Sequence, residues 1–181
     1  MKKQVLFIQG GGKGAYEEDE KLADSLHNAL GAEYHVSYPQ MPNEESPEDR
    51  PWISQISMEL DSLEDNVILV GHSAGGAVLL KYLLKENVSK NFAGIFLISI
   101  PFWEPEDEED TEYTLQEGFA SKLPTGVPIF LYHSRDDEWV PFAHLAWYAE
   151  RIPQATVREF DGRGHQFNND LSEVAADIKS L

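Results

Sequence analysis

The stretch VILVGHSAGGAVLL, residues 67–80, decides the fold. Four apolar residues of strand character run into Gly71-His72-Ser73-Ala74-Gly75-Gly76, and an apolar segment of helical character follows. A polar serine thus sits between two apolar elements with glycines on both sides. Gly71-x-Ser73-x-Gly75 in that context is a sharp strand-to-helix turn whose central residue is forced into a strained backbone conformation. Small neighbours are needed because the helix backbone must pass close to the strand. The turn presents the Ser73 hydroxyl at the C-terminal edge of a sheet, where open α/β folds place their sites.

The rest of the chain supplies the sheet. Short apolar runs at 4–8, 33–37, 66–70, 94–100, 128–133 and 156–160 read as strands, several apolar throughout as in strands covered on both faces. Helical spacing appears between them, in Leu22, Leu26 and Ala29, then in Ile53, Ile56, Leu60 and Leu63. It returns at the end in Leu171, Val174, Ala175, Ile178 and Leu181. Strands alternating with helices predict an α/β three-layer sandwich on a six-stranded, mainly parallel sheet. No repeat or linker divides the chain, so residues 1–181 are expected to form a single domain. Two stretches break the rhythm. Residues 38–51 hold four prolines and read as a loop; residues 101–126 include the acidic run PEDEED and leave room for only a minimal lid. The acidic run reads as a solvated face.

Composition excludes several classes of function. The chain has 181 residues and no cysteine, which rules out disulfides, zinc–thiolate sites and a cysteine nucleophile. A formal net charge of −18 repels phosphate backbones and anionic lipids, so neither a nucleic-acid nor a membrane partner is expected. The apolar run behind Met1-Lys2-Lys3 is too short for an export signal, and no segment has the length of a membrane span; a cytoplasmic protein is expected. His27, His35, His133 and His144 lack metal-ligand spacing, so no metal or other cofactor is expected.

A serine hydroxyl attacks only when a base takes its proton, and the base needs an orienting carboxylate. His165, in DGRGHQF after the last predicted strand, lies at the right topological point for the base. Asp136 and Asp137, in SRDDEWVP after the preceding strand, both qualify as the carboxylate. His72 reads as a packing residue that the turn directs away from Ser73.

With these motifs the chain resembles the α/β-hydrolase superfamily over essentially its whole length. Within it, the chain resembles the small, nearly lidless serine hydrolases similar to retinoblastoma-binding protein 9. The resemblance implies a nucleophile elbow at Ser73 and an acid four residues before a Val-Pro proline. That position is Asp137, ahead of Val140-Pro141. It further implies an oxyanion hole built from the backbone N–H after the nucleophile, Ala74, and one from the loop after the first strand. In that loop, QGGGKG at 9–14, matching Gln9-Gly10 to a His-Gly pattern makes Gly11 the donor, with Gly12 its rival. The pocket-protein motif Leu-x-Cys-x-Glu cannot occur in a chain without cysteine, so no such partner carries over.

The expected chemistry is hydrolysis of a small-molecule ester, thioester or amide through an acyl-enzyme, with a carboxylesterase foremost. The alternatives are a non-catalytic binding module on the same fold and an acyltransferase using the same intermediate. The glycine loop also fits a loose dinucleotide pattern, but Glu17, Glu18, Asp19 and Glu20 at the following helix would repel a pyrophosphate. A P-loop fails because Gly14 follows Lys13 where Ser or Thr is required. Phe102 and Trp103, following a strand's C-terminal end, are expected to wall a shallow substrate pocket.

Overall fold

A computed structural model of the protein describes residues 2–84, 88, 90–102 and 115–181. Six strands form one sheet: β1 (Lys3–Ile8), β2 (Tyr34–Ser37), β3 (Val67–His72), β4 (Phe92–Ile98), β5 (Ile129–Ser134) and β6 (Thr156–Phe160). Their order is β2-β1-β3-β4-β5-β6, and every pairing is parallel rather than mainly so. Parallel neighbours require long crossovers. Helices in these crossovers are α1 (Ala15–Leu30), α2 (Asp49–Ser62), α3 (Ala74–Leu83) and α4 (Ala143–Arg151), and α5 (Ser172–Lys179) follows the last strand.

Strand alternation sends each side chain to one of two layers. Val5, Phe7, Ile68 and Val70 face α1 and α5, packed with Leu22, Leu26, Val174 and Ile178. Leu6, Ile8 and Leu69 face α2, α3 and α4, packed with Ile53, Ile56, Leu79 and Tyr148. The central strand β3 is buried at all six positions, which is why its sequence is apolar without alternation. Among the described residues no helix is long and apolar enough to cross a membrane.

The expected strands are found within one or two residues. The loop read over 38–51 ends earlier, because α2 begins at Asp49. Pro51 lies in its first turn, where a missing N–H breaks no helical hydrogen bond. Helix α4 lacks a strong sequence signal, with only Leu145 and Tyr148 buried along it. Part of the expected lid, and the whole acidic run, falls on residues 103–114, outside the described residues.

The strand order places the site. The chain moves from β1 outward to β2, then returns to β3 on the other side of β1. The loops after β1 and β3 therefore part at a switch point and leave a crevice at the C-terminal strand ends. α3 enters that crevice against the strands. A Cβ on Gly75 would lie 2.0 Å from the Gln9 carbonyl oxygen, and one on Gly71 would lie 2.5 Å from the Gly76 Cα. Both obstacles are backbone and cannot rotate away. Gly75→Ala should therefore cost at least the upper part of the ~1–3 kcal/mol of ordinary overpacking. The readout is the midpoint of urea denaturation, and an unchanged midpoint would refute the close approach.

Candidate active site

Ser73 links β3 to α3 with φ 50° and ψ −129°, a left-handed conformation costly for a serine. Backbone bonds hold it there. Its N–H donates to the Ile98 carbonyl at 2.8 Å, and its own carbonyl accepts from Gly76 and Ala77 at 3.0 and 3.2 Å. The hydroxyl lies where two clefts of about 510 and 700 Å³ meet.

His165 stands on the loop between β6 and α5. Gly162 and Gly164 turn that loop with φ 70° and 60°. The turn is pinned from the β5 side. Asp136 Oδ1 accepts the N–H groups of Arg163 and Gly164 at 3.2 and 3.3 Å and the hydroxyl of Ser134. Glu138 accepts the N–H of His165 itself at 3.1 Å. His165 lines the same cleft as Ser73.

The carboxylate of Asp137, its side chain wholly buried, meets His165 Nδ1 at 2.9 and 3.0 Å. A carboxylate only accepts, so Nδ1 carries the imidazole proton and Nε2 keeps its lone pair. Asp137 Oδ1 also accepts the N–H groups of Trp139 and Val140 at 2.9 and 2.8 Å. Burial alone would push the Asp137 carboxyl up. Hydrogen bonds from His133, His165 and the Val140 N–H outweigh burial and hold it well below the usual carboxylate range. Of the two acids left open by position, Asp137 meets the histidine, and Asp136 clasps the backbone of its loop.

His133 was not expected as a partner of the acid. Its Nε2 lies 3.2 Å from Asp137 Oδ2 and 3.0 Å from the Val140 carbonyl, two acceptors, so it is this nitrogen that bears the proton. A histidine four residues before the acid, on a buried strand, is the local signal for it.

The loop after β1 runs alongside the elbow. A Cβ on Gly11 would come within 3.3 Å of Ala74 Cβ and 2.4 Å of the Pro47 ring, so only glycine fits there. Among the described residues, the N–H groups of Gly11 and Ala74 enter no hydrogen bond, whereas that of Gly12 is taken by the Glu44 carbonyl at 2.6 Å. Gln9, standing where a His-Gly loop has histidine, is fully buried. It accepts the Met41 N–H and donates to Glu44, each at 2.9 Å. Glu44 in turn accepts from Gly14 and Tyr16, fixing the loop's far end.

The pocket wall differs from expectation. Phe102 belongs to the core, stacked on Trp147 with its N–H donated to His144, and Pro101 lines the cleft instead. Phe102 is turned inward toward α4. Trp103 lies outside the described residues. Trp139, 77% exposed, lines both clefts, a position its place in the acid loop did not reveal. Among the described residues, no group of three or more His, Asp or Glu side chains is arranged to hold a metal ion.

A family model described as serine hydrolase matches residues 17–171, a span that includes Ser73, Asp137 and His165. YdeN of Bacillus subtilis (strain 168), named as a candidate hydrolase, is 29% identical over 131 residues. That alignment covers 69% of this chain and 66% of the relative, just under two thirds of its length. The crystal structure of the ydeN gene product of B. subtilis superposes with a TM-score of 0.80 at 24% identity, over 98% of this chain and 97% of that one. Est1E from Butyrivibrio proteoclasticus superposes with a TM-score of 0.69 at 16% identity, over 99% of this chain and 86% of that one. At these identities the likeness establishes the fold, which is that of the α/β-hydrolases.

The two aspartates separate by experiment. Asp137→Asn should lower kcat on an aryl ester on the order of 10⁴-fold, because the imidazole loses its orienting acceptor. Asp136→Asn removes roughly one hydrogen bond's worth of loop order, ~1 kcal/mol, and should cost about tenfold or less. Reversed penalties would reassign the acid. The lowered folded value of Asp137 also fixes a pH dependence. Its contribution to stability is complete above the ordinary carboxyl value of 3.8 and is lost as pH falls through the folded value. Below about pH 4 the native protein should therefore lose melting temperature more steeply than Asp137→Asn.

Proposed function

The chain belongs to the serine hydrolase family, and from that premise we propose that it cleaves small carboxylic esters through an acyl-enzyme on Ser73. The observation that carries this reading is the Asp137 carboxylate on His165 Nδ1, with His165 and Ser73 lining one cleft. Ser73 Oγ attacks the ester carbonyl while its proton passes to His165 Nε2. The carbonyl oxygen becomes an oxyanion beside the unengaged N–H groups of Gly11 and Ala74, donors fixed before charge develops. The intermediate collapses, and the leaving alkoxide departs with the proton held on His165. Water then enters and gives a proton to His165, and its hydroxide attacks the acyl carbon. Collapse of the second intermediate releases the acid and returns the proton to Ser73. Asp137 remains ionised throughout and steadies the transient imidazolium.

His165 delivers its proton to the leaving group, so the cleft that contains His165, Gln166 and Lys13 receives the alcohol. The acyl group then lies in the other cleft, against Pro47, Ala74, Val78 and Pro101. The lining of that cleft includes the buried Lys81, paired with Asp49 at 2.9 Å. An apolar chain that reached this ion pair would have to strip it of polar partners. The net charge of −18 further disfavours anionic substrates at low salt.

A fluorophosphonate should label Ser73 and leave Ser73→Ala unlabelled while that variant remains folded. No adduct on folded native protein would instead support a binding module. Across aryl esters with acyl chains from two to twelve carbons, kcat/KM should peak at acetyl to butyryl. Each enclosed methylene is worth up to ~0.8 kcal/mol, roughly fourfold, and the gain should stop after a few carbons. A monotonic rise to long chains would refute the short acyl cleft.

A further inference from the structure

Behind Ser73 lies a second buried histidine–carboxylate pair that the steps above do not use. His72 is 2% exposed and its Nδ1 lies 2.8 Å from Asp19 Oδ2; Asp19 is likewise 2% exposed. His72 Nε2 lies 3.0 Å from the backbone carbonyl of His165. A carboxylate and a peptide carbonyl are both acceptors. A neutral imidazole has one N–H and would set a lone pair against one of them, whereas an imidazolium satisfies both. Burial would push the imidazole down. The Asp19 charge and hydrogen bond and the His165 carbonyl outweigh it, so His72 is held above its ordinary 6.5. Asp19 is held below its usual range, because His72, the Gly10 N–H and Gln166 together overcome its own burial.

The contacts of Asp19 show what the pair can do. Besides His72 it accepts the Gly10 N–H at 2.7 Å and the Gln166 amide at 3.0 Å. Gly10 precedes Gly11, His72 precedes Ser73, and Gln166 follows His165. One carboxylate, delivered by α1, therefore grips the chain neighbour of the oxyanion donor, of the nucleophile and of the base. Those three come from loops after β1, β3 and β6, which share no other common partner of this kind among the described residues. The rings of His72 and His165 are 4.7 Å apart, and the other charge facing this region is Asp137, on the far side of His165.

We propose that His72 is a protonated positioning residue. Clamped between Asp19 and the His165 carbonyl, it fixes the spacing of nucleophile, base and oxyanion donors for hydrolysis. This rests on the esterase reading of the same site. Ring ¹⁵N spectra of histidine-labelled native protein should show both His72 nitrogens protonated at pH 8, with the signal assigned by its absence in His72→Gln. Asp19→Asn and His72→Gln should each lower kcat about 10–100-fold per phosphonate-titrated site, the range typical of groups that orient a catalytic ligand. KM should stay within about threefold, since the pair is almost wholly buried and acts chiefly on the spacing of the reacting groups. The double variant should cost no more than the worse single, because the pair acts as a unit. If Asp19→Asn does not fold, the native spectrum and His72→Gln still decide. A His72 ring with one bare nitrogen at pH 8, or unchanged kcat per titrated site, overturns the positioning role alone. Native protein with no phosphonate on Ser73 overturns the esterase reading and the positioning role together.

Discussion

Where β3 turns into α3, two backbones pass closer than any side chain would permit. The space that a Cβ on Gly75 would need is taken by the Gln9 carbonyl, and that of Gly71 by Gly76. This approach forces Ser73 into its left-handed conformation, a strain of about 1–3 kcal/mol. The packing around it outweighs that cost. Val70, Leu79 and Leu80 are each buried to within 1% of complete, and a side chain of this kind contributes ~1.5–3 kcal/mol. The same approach sets the start of the β1 loop against the elbow. It brings Gly11 next to Ala74, so two unengaged N–H groups flank the serine. An elbow with larger residues would open the sheet before it could present the hydroxyl.

Charge follows a similar economy. The chain is strongly acidic, yet the two carboxylates buried at the site each face histidine. Asp137 meets His165 and His133, and Asp19 meets His72. An ionised carboxylate buried without partners would cost several kcal/mol. The pairs join into a row, because the His165 carbonyl meets His72 while the His165 ring meets Asp137. The row runs across the ends of β3 and β5 and ties α1 to the acid loop. Asp136, Glu138 and Glu44 act on backbone instead, each accepting N–H groups that a tight loop cannot satisfy internally. Three acids near the cleft thus hold loops in place.

Two clefts meeting at Ser73 give the proposed reaction a direction. The histidine side is polar, and the side along α3 is walled by Pro47, Val78 and Pro101. The Lys81–Asp49 pair in its lining, with Lys81 buried and Asp49 partly exposed, disfavours an apolar chain that would displace charge. Trp139 projects between the two clefts from the loop that also carries Asp137, so one short segment both orients the histidine and shapes the entrance.

The sequence by itself determined the strands, the elbow, the position of His165 and the narrowing of the acid to two adjacent aspartates. Those signals are local: an unbroken apolar run marks a strand covered on both faces, and glycines around a serine mark a close turn. It also held a signal that was easy to pass over. Asp19 shares the helical stripe of Ala15, Leu22, Ala23 and Leu26, so an acid read as one of a repelling cluster was already on the buried face. Only the tertiary structure decided which aspartate meets Nδ1, because Asp136 and Asp137 differ by one residue in a turn and their directions depend on β6 and its loop. Only it showed Phe102 turned into the core, His133 on the acid, and Asp19 joined to residues 72 and 166. The physical reason is common to all of these. A hydrogen bond to a buried carboxylate is fixed by where distant strands end, and no periodicity within one element records that distance.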